Sequence, residues 1–493
     1  MQLTIKSDHG RLGNWIDDRI QPSTSRTTLP VTSPYTGQTI AEVPLGGSED
    51  VAQAVAVASA AFPGWSTTPI KERVQVMFRL KGLLERSLDE LANQICAENG
   101  KSWSEARADV LKAIELTEFA CALPNTIAGQ QLEVSRWITC RTEHAPLGVV
   151  ASISPFNFPV MVPMWTLPVA LTVGNTMILK PSEQVPLSAM RLAELFREAG
   201  LPAGVLNVVH GGEQVVNALC DHPGIRALSF VGSTRVARHV YARAAASGKR
   251  VLALGGAKNH LILLPDADPN SAPQQIVESA IGCAGQRCMA ASVMLAVGDC
   301  DALIAEMTRY AQGVPLGSQL GAIINARSLE RIEGYITQAE KDGARLLVDG
   351  RGRKPADSTF ANGWWCGPTL IDGLKEGAPA ACEEIFGPVL SILHVDTLEE
   401  ALRIENSSPY GNACSVFTRS GAPADYVMKH ASAGMCGVNV GVPVPREPFA
   451  FGGWNESRFG AGDLTGEAGV RFWTQDKKMT VKWIEQEHRN WMS

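Results

Sequence analysis

Disulfide scaffolding is missing from this sequence. Its eleven cysteines are scattered, with no CxxC pair and no metal-like spacing to histidine. That excludes a disulfide framework and a zinc site, and leaves most thiols as small buried apolar groups in a reducing compartment. Basic runs are absent too. The formal net charge is −6, which argues against nucleic acid as a partner. The N-terminal MQLTIKSDHG lacks the apolar core of a signal peptide, so a cytoplasmic protein is expected. One apolar stretch, residues 149–179, is long enough to raise the question of a membrane span. Pro155, Pro159, Pro163 and Pro168 interrupt it, and Asn157 and Asn175 lie within it. A buried, irregular segment is the expectation, with no membrane partner. There is no internal repeat, no low-complexity tract and no GxGxxG fingerprint.

What is present is an ordinary globular balance, 45% apolar and 19% charged, in 493 residues. That length exceeds one hydrophobic core, so two or three domains are expected. The first third reads as helical. A helix starts at Ser48 and stops near Pro63-Gly64. A second runs from Pro69 to just before Gly100, and a third from about Ser104 to Leu123. From Gly148 short apolar runs (VVASIS, TMILK, VLNVVH, ALSFVG, RVLAL) alternate with helical stretches. That alternation predicts parallel βαβ units in a doubly wound, nucleotide-binding α/β layout. A second α/β region runs from about Lys258 to Trp454. The segments LEVSRWITCRTEHA and RFWTQDKKMTVKW alternate like exposed edge strands and suggest pairing between subunits.

Several short segments carry candidate chemistry. In IGCAGQRCMA, Cys288 follows Arg287, and a nearby cation lowers a thiol pKa. Read alone, Cys288 is equally a buried structural cysteine, and Cys283 reads as core. SPFNFP follows an apolar strand, where open α/β sheets bind ligands. Its Asn157, fixed between prolines, is an amide donor suited to an oxyanion, or simply a partner for a kinked backbone. In ILKPSE, Lys180 and Glu183 leave another strand end, with Ser182 starting the next helix. A carboxylate there can bind both hydroxyls of an adenosine ribose and favours NAD over NADP. In FVGSTRVA, Gly232 and Ser233 stand between a strand and a helix, where backbone N–H groups face an anion such as pyrophosphate.

Taken in order, PFNFP, KPSE, FVGST, LGGAKNH, GQRC, EEIFGPV and YGN resemble the signature series of the aldehyde dehydrogenase superfamily, over about residues 14–483. GAKNH with GQRCMA resembles one branch, the CoA-acylating methylmalonate-semialdehyde dehydrogenases. The resemblance implies a Rossmann-type NAD-binding domain (1–125 and 146–256), an α/β catalytic domain (257–454) and a small β oligomerisation element (126–145 and 470–493). It implies a homo-oligomer, dimer or tetramer. It further implies that Cys288 attacks the aldehyde and that Asn157 and the Cys288 N–H hold the oxyanion. Phe156, Lys180, Ser182, Glu183, Gly232 and Ser233 would bind NAD, and Glu384 and Phe386 would position its nicotinamide half.

Two departures matter. Hydrolytic members carry a general-base glutamate in LELGGK, and the matching LALGGAK places Ala253 there. Without that base water is a poor acyl acceptor, whereas a thiol is a good one, so coenzyme A becomes the expected co-substrate. The branch also carries an arginine in a DVFRG-like helix, where DVLKA here offers Lys112. A lysine keeps the charge and loses the two-pronged geometry. Arg287, Lys112 and Arg446 of PVPREPFAFGGW are the candidate handles for an acidic semialdehyde. The alternative is a CoA-independent aldehyde dehydrogenase that releases a free acid.

Overall fold

The computed structural model describes Ile5 and residues 9–483. Two large sheets organise it. The first runs in the order Arg19–Gln21, Asn14–Ile16, Leu206–Val208, Thr176–Lys180, Val149–Ile153, Ile225–Val231, Arg250–Leu254, Arg458–Phe459. Its five central strands are parallel, and the outer additions are antiparallel. These strands are short and almost wholly buried, as a sheet covered on both faces requires. Side chains alternate between the layers. Val150, Met177, Leu179 and Leu252 join one apolar cluster. Val149, Ala151, Ile178 and Val251 join the other.

The second sheet is ordered Arg345–Val348, Thr369–Asp372, Val389–Val395, Ala291–Val297, Asn259–Leu263, Ala413–Phe417, Met435–Val438. Only its first pair is antiparallel. The third sheet has three strands, Thr474–Lys482, Ile138–Pro146 and Gln130–Ser135.

Three expectations need correction. The chain opens on short strands rather than helices: Asn14–Ile16, Arg19–Gln21, Thr28–Thr32 and Thr39–Pro44 all precede the first helix. They carry little local signal because distant partners hold them. Trp15 pairs with Val208, and the buried Asn14 amide donates to Asp50 (2.9 Å) while its oxygen accepts the His210 N–H (2.9 Å). The first helix continues through Pro63 and Gly64 to Thr67. The second is two helices, Ile70–Arg86 and Leu88–Asn99, broken where Ser87 leaves helical geometry. Gly100 does close the latter in a left-handed conformation, φ 87°. The expected edge strand near the C-terminus is present: Thr474 to Lys482 pairs within the chain against Pro146 to Ile138 and forms one edge of the three-stranded sheet. The part of that expectation covering 484–493 lies outside the described residues.

The first sheet positions the candidate site. The turns holding Phe156-Asn157, Ser182-Glu183, Gly232-Ser233 and Gly255-Gly256 all leave the carboxyl ends of adjacent parallel strands. That edge is where a doubly wound sheet receives a ligand.

Candidate active site

Cys288 lies between a helix and a strand of the second sheet. The helix Ala272–Ile281 ends, and Cys283, Ala284 and Gly285 follow at φ 54°, 53° and 68°. This left-handed turn is pressed onto the EEIFGPV segment. A Cβ on Gly285 would stand 1.9 Å from the Gly387 carbonyl oxygen, so only glycine fits. The nucleophile's backbone is then clamped. The Asn259 side-chain amide donates to the carbonyls of Cys288 (2.7 Å) and Ala290 (2.9 Å). Its oxygen accepts the Ala413 N–H at 3.1 Å. The Asn412 amide donates to the same Cys288 carbonyl at 2.9 Å. Neither asparagine was assigned a role from sequence. Both stand in the GAKNH and YGN runs, and the available signal was an asparagine opening or preceding an apolar strand.

Burial, reinforced by the Glu384 carboxylate, pushes Cys288 up to about 12, and Arg287 pulls only weakly the other way. Burial also raises Glu384, against the pull of the Ala257 N–H and of Lys258. Its carboxylate accepts the Ala257 N–H at 3.0 Å. Lys258 is buried, which lowers it to about 8, and it donates to the Ala380 carbonyl at 2.9 Å. Ala253 is fully buried in its strand and contributes no polar atom. Among the described residues no His/Cys/Asp/Glu cluster has the make-up of a metal site.

Arg287 is divided between two tasks. One terminal nitrogen donates to the Glu278 and Ser279 carbonyls (2.7 and 2.8 Å), closing the end of helix 272–281. Its Nε is buried without a partner. The side chain lines the cavity that Cys288 also lines.

On the first sheet's carboxyl edge, Asn157 is buried in the turn after strand 149–153. Phe156 meets the Phe386 ring edge-on, centroids 5.8 Å apart. Its carbonyl accepts the Asn99 amide at 2.8 Å. Lys180 is 4% exposed and pairs with Glu183 at 3.1 Å. Burial alone would raise the Glu183 carboxyl. The Lys180 charge and a backbone N–H outweigh it and hold Glu183 below its usual range. The Ser182 hydroxyl accepts the Gln184 N–H at 3.3 Å. The helix that follows, Pro186–Glu198, is anchored from outside: buried Glu98 accepts the Leu187 and Ser188 N–H groups, both at 2.8 Å. Ser233 precedes helix Thr234–Ala246 without a side-chain cap bond, so the first N–H groups remain open at the sheet edge. A Cβ on Gly232 would meet the Phe230 ring at 2.6 Å. A lysine–carboxylate pair and an uncapped helix start on the same sheet edge, with strand 149–153 between them, suit a dinucleotide with separate diol and pyrophosphate partners.

Beyond Cys288 opens a cavity of about 250 Å3. Phe158, Met161, Trp165, Met289 and Phe451 give it an apolar wall. Lys112 reaches it, but its ammonium lies 2.7 Å from Glu447 and 3.1 Å from Glu115. Arg446 stands at the surface rather than in the wall, its side chain 80% exposed and 3.5 Å from Glu115. The residue turned inward is its neighbour Glu447, which the sequence did not single out.

Known proteins share this arrangement. A sequence profile of the aldehyde dehydrogenase family matches residues 20–479. The chain is 44% identical to a malonate-semialdehyde dehydrogenase of Geobacillus thermodenitrificans, covering 97% of this chain and 99% of that one. The structure superimposes with TM-score 0.94 on methylmalonate-semialdehyde dehydrogenase of Oceanimonas doudoroffii. That pair is 41% identical, covering 97% and 99% of the two chains. It superimposes equally, at 38% identity over 97% and 98% of the chains, on a Sinorhizobium meliloti protein described as a methylmalonate-semialdehyde dehydrogenase and solved with NAD. With a family match over nearly the whole length and a cysteine fixed opposite the ligand edge of a doubly wound sheet, this chain belongs to the aldehyde dehydrogenase family.

Proposed function

We propose that this protein oxidises an acidic semialdehyde, of the malonate or methylmalonate type, with NAD and passes the acyl group to coenzyme A. The Cys288 thiol gives up its proton to solvent and, as thiolate, attacks the aldehyde carbon, giving a thiohemiacetal whose oxyanion takes hydrogen bonds from the Asn157 amide and the Cys288 N–H. NAD, when bound, accepts the hydride from that carbon, which leaves a thioester on Cys288. Lys180 and Glu183 hold the adenosine ribose, and Gly232 and Ser233 lie at the pyrophosphate. Ser182 shapes the turn, and Phe156, Glu384 and Phe386 position the nicotinamide half. The coenzyme A thiolate then attacks the thioester carbonyl, and Cys288 leaves as thiolate. One hard step becomes two easier ones.

Arg287 is the handle for the substrate carboxylate, with its unpartnered Nε as support. The observation that carries acyl transfer to coenzyme A is Ala253: a buried methyl where hydrolytic relatives keep a base. The test is an NADH time course with malonate semialdehyde. Without coenzyme A we expect one stoichiometric burst and then a steady rate lower by about 100-fold or more. With it the enzyme turns over, and mass spectrometry finds the acyl-CoA. Equal steady rates with and without coenzyme A refute the acyl transfer.

The three-stranded sheet carries the exposed Leu132, Val134 and Trp137, with Trp483 just past its last strand, which supports a homo-oligomer built on this element. Light scattering that returns a monomer at micromolar concentration removes that part of the reading. The same reading takes 1–125 with 146–256 as the NAD-binding domain, 257–454 as the catalytic domain, and 126–145 with 470–493 as the oligomerisation element. A cytoplasmic setting, drawn from the unpaired cysteines, belongs to the same proposal. Among the described residues no helix is long and apolar enough to cross a membrane.

A further inference from the structure

The cavity is larger than a three-carbon acid needs. Malonate semialdehyde has as many non-hydrogen atoms as benzene, which an apolar void of about 150 Å3 accommodates. Here about 250 Å3 is open beside Cys288. Phe158, Met161, Trp165 and Phe451 are among the residues that line the cavity.

Apart from Arg287, the charges around it are already matched. Asp109 pairs with Lys101 at 2.5 Å and accepts the Met161 N–H. Glu105 accepts from Ser102 and from the Cys283 N–H. Lys112, only 17% exposed, is flanked by the carboxylates of Glu447 and Glu115. A substrate carboxylate arriving there would meet one cation with two anions on it. It would lose its hydration and gain net repulsion. An apolar group loses nothing by the same move.

We propose that Glu447 is a specificity-determining residue. By holding Lys112 it denies the Lys112 side of the cavity to a carboxylate and leaves it to an apolar substituent, larger than methyl, on the carbon next to the aldehyde. The assignment rests on the dehydrogenase reading above and narrows its substrate class. Arg287, close to the thiol, serves the near carboxylate of such a branched semialdehyde. Lys112 serves none. The segment 442–451 supplies Val442, Val444, Pro445 and Phe451 to the wall, so the Lys112–Glu447 pair also fixes that wall against helix Trp103–Thr126.

The test compares kcat/KM, with NAD and coenzyme A, for the 2-butyl homologue of malonate semialdehyde and for glutarate semialdehyde. The latter has a similar reach but ends in a carboxylate. The wild-type enzyme is expected to favour the butyl compound by more than about tenfold. In Glu447→Gln that ratio falls by about tenfold, chiefly through a lower KM for glutarate semialdehyde. Glu447→Asp, which keeps the charge, retains the preference. Equal use of both aldehydes by the wild type overturns the assignment, as does an unchanged ratio in Glu447→Gln. Should that variant fail to fold, Lys112→Met decides: KM for glutarate semialdehyde is expected to stay at the wild-type value, and a raised KM for it would show that Lys112 binds the carboxylate and overturn the assignment. A preference that persists while turnover ignores coenzyme A sinks the acyl-transfer reading and supports the role of Glu447. Inactivity toward every aldehyde sinks both.

Discussion

Cys288→Ala is expected to lower aldehyde-dependent NADH formation by at least about 10^4-fold and to abolish the burst, because no other group in the site forms the covalent intermediate. An unchanged rate would place the nucleophile elsewhere. The parent thiol carries a second signature. Burial and Glu384 push it up to about 12, so at neutral pH the free enzyme holds a thiol and very little thiolate. The sign follows: below a raised pKa, each unit of pH multiplies the reactive fraction about tenfold. Iodoacetamide labelling of Cys288 in the NAD-free enzyme should therefore be slow at pH 7 and still climbing at pH 9. A plateau by pH 7.5 would mean that Arg287 outweighs burial. Cys283, also pushed up to about 12, is not a competing target because it is buried.

Asn259→Asp is the second large effect. The substitution changes almost no volume, yet it replaces two N–H donors with an oxygen facing the Cys288 and Ala290 carbonyls. Two buried carbonyls lose a donor, a cost of about 2–4 kcal/mol in local stability. Asn412 still holds Cys288 from the other side. We therefore expect a folded enzyme with kcat down by about 100-fold and KM little changed, because the error lies in aiming the thiol rather than binding the aldehyde. A positioning role also predicts a slower NADH burst with unchanged amplitude. If only the melting temperature falls while the burst rate stays at the parent value, Asn259 is structural and the clamp has no part in catalysis.

Much of the first sheet was legible because each of its central strands is an apolar run bounded by a turn and followed by a helix. The same logic placed Asn157, Lys180, Glu183 and Ser233 at strand ends, and the structure puts their three turns on one edge. What stayed hidden depends on partners far along the chain. The N-terminal strands make sense only once Trp15 meets Val208. Lys112 looked like an available cation because its neutralising partner, Glu447, lies 335 residues away. Arg446 and Glu447 illustrate the limit: adjacent in sequence, one faces water and the other faces the cavity, and no local pattern chooses between them. Asn259 belonged to a run used for recognition, but its two acceptors come from a different strand's approach.

The late position of the cavity wall has a consequence for biosynthesis. Glu447, Phe451 and Thr465 line the cavity, strand Arg458–Phe459 completes the first sheet, and strand Thr474–Lys482 completes the hairpin sheet. On a ribosome Cys288 emerges well before any of them. Translation of the roughly 160 residues between Cys288 and Glu447, at about 5–20 residues per second, takes on the order of 10–30 s. During that interval the thiol is part of an unwalled nascent chain, open to any electrophile in the cell. The finished fold leaves it only partly exposed, in the wall of the cavity, so the period of full exposure of this nucleophile is set by translation speed rather than by the stability of the mature protein.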